Sequence, residues 1–224
     1  MSTPSVDIKR HDNLEELVGE QVLLEYGIRV EPYWMTEGDI EGDQYHEYLD
    51  QHTDFELQVR MSVAERLKDV QSTLPDSWQL VIKAGYRPLA IQQNVFDAFV
   101  RQVSERHTEL SPAEVYDFAS KYVIDPAQRQ APHSTGGAVD VTLYDTSAGA
   151  YVDFGSSLNA IGEISHLTTN LIKPHHAENR KQLLTAMTDA GFAPYTYEWW
   201  HFSYGDVIWA IHYGKDSTLY DTLQ

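Results

Sequence analysis

The chain has 224 residues, 42% of them apolar, with 34 Asp plus Glu against 16 Lys plus Arg, a formal charge of −18. That length can bury a real core, and the apolar share excludes a disordered chain. The absence of cysteine excludes disulfides, iron–sulfur clusters, thiolate zinc sites and cysteine nucleophiles, so any metal must be held by His, Asp or Glu.

The acidic balance argues against a nucleic-acid partner or an anionic membrane, both of which need a basic footprint. There is no run of roughly 18 apolar residues and no apolar leader after Met1, so a cytoplasmic protein without a membrane span is expected. No repeat, low-complexity tract or charge block divides the chain. The expectation is therefore one domain over 1–224, in which about 1–50 form a loose N-terminal arm.

From about Asp54 to Leu74, apolar residues Val59, Val63, Leu67, Val70 and Leu74 recur at three- and four-residue steps, which predicts a helix ended by Pro75-Asp76. Trp78-Gln-Leu-Val-Ile-Lys-Ala alternates and is rich in β-formers, a strand running into Gly85. Ile91, Val95, Phe99 and Val103 mark a second helix. A third opens at Ser111-Pro-Ala-Glu, where Ser111 can cap, Pro112 suits the first turn and Glu114 completes a capping box. Ala138 to Tyr144 reads as a strand, turning through Asp145-Thr-Ser-Ala-Gly into a hairpin with Tyr151-Val-Asp. A fourth helix covers roughly Ala177 to Ala190, stopped by Gly191, and strands are expected near Trp199–Tyr204 and Val207–Tyr213. Helices come first and strands late, so the class is α+β, a central antiparallel sheet flanked by helices.

Three segments hold more polar chemistry than their surroundings need. In Pro132-His133-Ser134-Thr135-Gly136-Gly137-Ala138-Val139-Asp140, two glycines let the backbone fold tightly between an imidazole and a carboxylate. Val139 and Val141 face away from Asp140 on a strand, leaving that carboxylate in need of a partner such as a cation; a solvated Asp is the alternative. In Tyr197-Glu198-Trp199-Trp200-His201-Phe202, an acid and a histidine sit among four aromatics. Burial there would raise the Glu198 pKa towards the range useful for proton transfer, the alternative being a core histidine bonded to its neighbour acid. In Lys83-Ala84-Gly85-Tyr86-Arg87-Pro88, the proline holds Arg87 extended at a strand end, where its permanent charge can stabilise an oxyanion or simply form a surface ion pair.

Together these segments fit one mechanism. His133, Asp140 and His201 form the two-imidazole, one-carboxylate ligand set of a single catalytic zinc with its fourth position open. Glu198 is the candidate base and Arg87 the oxyanion partner. His175-His176 follow Pro174 ahead of a helix, and adjacent histidines do not easily face one metal, so they read as surface residues. His166 reads as structural or as an outer partner of the site rather than a ligand.

Gly85-Tyr86-Arg87-Pro88, His133 to Asp140 and Glu198 to Phe202 resemble, in order and separation, the zinc D-alanyl-D-alanine peptidases, and among them the vancomycin-resistance type of D-alanyl-D-alanine dipeptidase. The doubled Trp before the last His and the Pro after Arg favour the dipeptidases over the related carboxypeptidases and endopeptidases. The resemblance runs from Trp78 to Tyr204, and the pairs Phe154-Gly155 and Ser165-His166 fall in register with it. It implies hydrolysis of D-Ala-D-Ala to two D-Ala, with His133, Asp140 and His201 on zinc, Glu198 as base and Arg87 on the intermediate. Ser134 and Asn159 are the candidate substrate-binding residues.

Three positions depart from the family pattern. Ala131-Pro132 precedes the first zinc histidine where a Ser is usual two positions before it. Asn159 stands where an Asp commonly meets the substrate amine, so Asp153 or Glu163 would have to cover that amine, or the substrate differs. The N-terminal family element has only an echo in Asp39-Ile40-Glu41-Gly42. A carboxypeptidase or endopeptidase acting on larger cell-wall peptides, and a zinc-binding module without catalysis, are the alternatives.

Overall fold

The computed structural model describes residues 8–33 and 56–223. In chain order these form β1 (Leu17–Val18), α1 (Glu20–Glu25), β2 (Arg29–Val30), β3 (Val59–Arg60), α2 (Met61–Thr73), β4 (Trp78–Ala84), α3 (Leu89–Arg106) and α4 (Pro112–Tyr122). They continue as β5 (Ala138–Asp145), β6 (Ala150–Tyr151), α5 (Pro174–Asp189), β7 (Ala193–Tyr195), β8 (Glu198–Ser203) and α6 (Val207–His212). The main sheet runs β2-β4-β5-β8-β7, with β6 added to β5, and β1 pairs separately with β3. Every pairing among these strands is antiparallel except β2 with β4. The α+β expectation holds, with one parallel edge.

Period two makes β5 two-faced. Val139, Val141 and Leu143 point into a core shared with Leu67 and Val70 of α2 and Leu183 and Met187 of α5, all fully buried. Each such side chain contributes about 1.5–3 kcal/mol of transfer free energy. Asp140 and Thr142 alternate with them and face the other way. On that side stands the α3–α4 hairpin, which has a small core of its own built from Phe96, Phe99, Val103, Val115 and Ala119. Helix α4 starts as its sequence requires: Glu114 N–H meets the Ser111 hydroxyl, and the Glu114 carboxylate accepts from Ser111 N–H at 2.8 Å.

Four expectations need correction. Val207–His212 is helix α6, not a strand, because the Asp206 side chain accepts from Trp209 N–H and caps it; the cap overrides the strand preference of Val, Ile and Trp. Helix α5 begins at Pro174, three residues early, with the proline in its first turn, so His175 and His176 lie inside it. Helix α2 begins only at Met61, not near Asp54, because Val59–Arg60 pair as β3 with β1 and take Val59 out of the expected helical stripe; strand β7, Ala-Pro-Tyr, which was not expected, forms as an edge, where a proline is tolerated. Residues 8–33 are built into the fold through β1, α1 and β2 rather than hanging loose, while Asp39-Ile40-Glu41-Gly42 lies outside the described residues.

Candidate metal centre and active site

His133 lies in a short 3-10 turn, His133–Thr135, that the chain leaves through Gly136 at φ +74°, a left-handed conformation suited to glycine. At Gly137 a β-carbon would come within 2.2 Å of the Tyr204 carbonyl oxygen, so only glycine lets the turn close onto the end of β8. Asp140 and His201 are direct cross-strand partners on β5 and β8 and therefore share a face. Register thus brings together two residues that are 61 positions apart.

Three atoms converge. His201 Nδ1 is 3.1 Å from Asp140 Oδ1, His133 Nε2 is 3.2 Å from His201 Nδ1, and His133 Nε2 is 3.4 Å from Asp140 Oδ1. Ligand atoms around a tetrahedral zinc with bonds of about 2.0–2.1 Å stand about 3.3 Å apart, so the triangle has the right size. The tautomers also suit a metal. His133 Nδ1–H donates to the Gly85 carbonyl at 2.9 Å, leaving its Nε2 lone pair free to point inwards. The far nitrogen of His201, Nε2, faces the Ser203 hydroxyl at 3.3 Å, and in the tautomer that donates to it Nδ1 presents a lone pair. Two lone pairs and a carboxylate aimed at one buried point call for a cation.

Electrostatics agree. Burial pushes the His133 pKa below the usual histidine value, helped by Arg87, so the ring is neutral near pH 7. Burial alone would raise Asp140, but His133 and His201 beside it hold its carboxyl well below the usual range. Both groups are thus in the form that binds a metal.

The triangle forms part of the floor of a cleft of about 830 Å³, its open mouth included. One wall is the α3–α4 hairpin with Gln92, Val95, Phe99 and Tyr122; the other carries Asn159, Ala160 and Ile161. Arg87 is buried and lines the cleft, its backbone N–H on the His133 carbonyl and its Nη1 donating to Gln92 Oε1 at 2.9 Å. Gln92 in turn donates to the Ile124 carbonyl. The sequence offered no signal for Gln92; only its place one helical turn after Pro88 aims it at Arg87.

Glu198 and His201, three apart, would face opposite sides of a regular strand. Here β8 runs from Phe202 to Glu198 while its partner β7 advances only from Pro194 to Tyr195. This bulge lets half-buried Glu198 and buried His201 line the same cleft. Tyr122 and Tyr195 also line it, and burial, reinforced by the nearby Glu198 charge, raises both phenol pKa values.

Other expected residues fall elsewhere. Ser134 is fully buried in the turn beside His133 and is not among the lining residues. Asn159 does line the cleft, at φ +59°, a conformation Asn tolerates better than most residues. Neither Asp153 nor Glu163 lines it. His166 lies outside the metal triangle and packs its ring on Tyr197.

Asp153, His175 and His176 bring three potential ligand atoms within 4.8 Å, so adjacent histidines do meet here. However, His176 Nδ1 accepts from Lys173 N–H and its Nε2 lies 3.1 Å from Asp153 Oδ2, which makes Nε2 the protonated nitrogen. A cation would also sit at the positive end of α5. The cluster is accounted for as an anchor of the helix start.

A family model described as D-ala-D-ala dipeptidase matches residues 48–217. The D-alanyl-D-alanine dipeptidase of Synechocystis sp. is 30% identical over 187 residues, covering 70% of this chain and 73% of that protein. That of Enterococcus faecalis is 32% identical over 126 residues, covering 55% and 60%, and that of Escherichia coli 37% identical over 124 residues, covering 55% and 54%. The chain thus spans between about half and three quarters of these relatives. Among solved structures, a vancomycin resistance D,D-pentapeptidase in complex with Zn(II) aligns with a TM-score of 0.45 at 18% identity, over 73% of this chain and 83% of the other. With three quarters of its length inside the family model, the chain belongs to the D-alanyl-D-alanine dipeptidase family.

Proposed function

We propose that this protein is a zinc metallopeptidase that hydrolyses D-alanyl-D-alanine to two molecules of D-alanine. The observation that carries the reading is the triangle of His133 Nε2, Asp140 Oδ1 and His201 Nδ1, sized for one zinc and placed in a cleft with Glu198 and Arg87. When bound, zinc supplies Lewis acidity, lowering the pKa of a water and polarising a carbonyl.

The chain's own residues do the rest. Glu198 accepts the proton of the attacking water as its oxygen bonds to the peptide carbon. It then returns that proton to the leaving amine as the C–N bond breaks. Arg87, oriented by Gln92, stabilises the negative charge that develops on the carbonyl oxygen. Arg87 is buried, which strengthens this contact. Asn159 accepts a hydrogen bond from the substrate's N-terminal ammonium. Family membership and the chemistry of the cleft support this assignment together.

Two measurements test the reading. Glu198→Ala should bind one equivalent of zinc and lose about 10²–10⁴-fold in turnover, whereas His133→Ala should lose the metal. Substantial turnover in the Glu198 variant would refute the base.

One observation favours a second reading, hydrolysis of larger cell-wall peptides. Among the described residues, Asp140 and Glu198 are the carboxylates lining the cleft, and the residue offered to the substrate amine is the neutral Asn159. A charged partner typically adds more than a neutral one, about 1.5–3 against 1 kcal/mol. Hydrolysis of a pentapeptide ending in D-Ala-D-Ala, with the free dipeptide left intact, would establish that alternative.

A further inference from the structure

The wall carrying Asn159, Ala160 and Ile161 belongs to segment 154–166, whose regular structure is limited to one short turn at Glu163–Ser165. Its shape is imposed from outside by Arg180 on the inner face of α5. Arg180 Nε donates to the Phe154 carbonyl at 2.8 Å and Nη1 to the His166 carbonyl at 2.6 Å. Nη2 donates to the Ile164 carbonyl at 2.9 Å and to the Ser156 hydroxyl at 3.2 Å. One planar fork therefore holds both ends of the segment.

Arg180 is 3% exposed, and among the described residues no carboxylate pairs with its guanidinium; burial lowers its pKa to about 10. Keeping an un-neutralised cation buried is unfavourable where an apolar residue could pack. What the fork supplies is direction, several bonds in one plane that neither Met nor Lys can reproduce. The same segment is tied to the strand of the proposed base. Trp199 Nε1–H donates to Ser156 Oγ at 3.0 Å, Phe154 stacks on Trp199 at 4.2 Å, and the Ser165 hydroxyl donates to the Tyr197 carbonyl. Tyr197 and Trp199 flank Glu198. Arg180 stands at the junction, 5.6 Å from the Trp199 ring.

We infer that Arg180 is a positioning residue for substrate: by gathering the ends of segment 154–166 against β8, it sets where Asn159 and Ile161 meet the substrate relative to Glu198. This rests on the dipeptidase reading above. Arg180 touches neither the metal triangle nor the reacting atoms, so its loss acts on substrate binding and leaves the metal ligands in place.

The test compares Arg180→Lys and Ser156→Ala with the wild type as zinc-loaded proteins. Zinc affinity is measured by chelator competition, and kcat and KM with D-Ala-D-Ala. For Arg180→Lys, KM should rise about tenfold or more, as expected when several charge-assisted bonds are lost. Its kcat should stay within about threefold and zinc affinity should be unchanged. Ser156→Ala should show a smaller rise in KM. A lower melting temperature with wild-type KM would mean a purely structural role and overturn the proposal, as would a fall in kcat at unchanged KM. Should Arg180→Lys not fold, Ser156→Ala decides alone, and an unchanged KM there overturns it. Should the wild type fail to turn over D-Ala-D-Ala, the dipeptidase reading fails separately. Amide exchange over 157–163 then decides: faster exchange in Arg180→Lys, with β4 and β5 unchanged, supports the positioning role, and equal exchange overturns it.

Discussion

His133 and His201 offer different ring nitrogens, Nε2 and Nδ1, to the same point, and in each ring the other nitrogen faces a neutral oxygen, the Gly85 carbonyl or the Ser203 hydroxyl. Those outer contacts, more than the ligands' own identity, decide which lone pair is presented. They also set a pH response. The unfolded chain protonates His133 near 6.5, but the fold, by burying the ring, resists that proton. Stability is therefore lost as pH falls from 6.5 towards the lower folded value. Asp140, held below its ordinary 3.8, adds a loss of the same sign only at still lower pH. In metal-free protein, the stability advantage of wild type over His133→Phe should shrink between pH 7.5 and 5.5, read by urea denaturation at each pH. An advantage that grows with acid would contradict the assigned neutral ring.

Elements formed where local chemistry and packing agree, and moved where they conflict. The capping box at Ser111 was legible because three neighbouring residues specify it, and α4 begins there. Val207–Tyr213 misled because its composition favours strand, while a single side chain, Asp206, supplies the bond that starts a helix. Asp206 is fully buried, and burial raises its pKa against the opposing pull of the Trp209 N–H, Ser203 and His201. A raised folded pKa means stability present below 3.8 and lost as pH rises through the folded value. Asp206→Asn keeps a capping oxygen without the charge, so it should gain on wild type as pH rises. Asp206→Ala lacks the cap and should lose about 1–2 kcal/mol relative to Asn at every pH. Thermal denaturation of the three proteins across pH 4–8 checks both statements.

At the scale of the molecule, the cleft lies between a large core under the sheet and the small core of the α3–α4 hairpin. Among the described residues, Tyr195 donates across it from its phenol to the Lys121 carbonyl at 2.7 Å, and Tyr122 packs edge-on against Tyr197. The turn that carries His133 is held from two further directions. Arg60 donates to the Thr135 carbonyl from one side, while from the other Leu223 N–H meets the Ser134 carbonyl and Gln130 binds the Tyr220 carbonyl and Asp221. Deleting residues 219–224 should therefore weaken zinc binding about tenfold or more, the scale seen when outer partners of a metal ligand are lost. Chelator competition on the folded, truncated chain measures it, and unchanged affinity would show that the C-terminal contacts are not needed to hold the turn.

The sequence by itself determined the residue types and their order. Absent cysteine left only imidazole and carboxylate donors, alternation placed Val139 and Val141 opposite Asp140, and helical steps set α2 and α3. These properties are local, governed by period and by neighbouring backbone groups. Only the tertiary structure decided that Asp140 and His201 sit side by side, that a bulge turns Glu198 into their cleft, and that Asn159 hangs from a segment shaped by Arg180. It also showed that Asp153 and Glu163 do not line that cleft. Strand register and long-range hydrogen bonds depend on which surfaces meet once the core is buried, and no short window of residues carries that information.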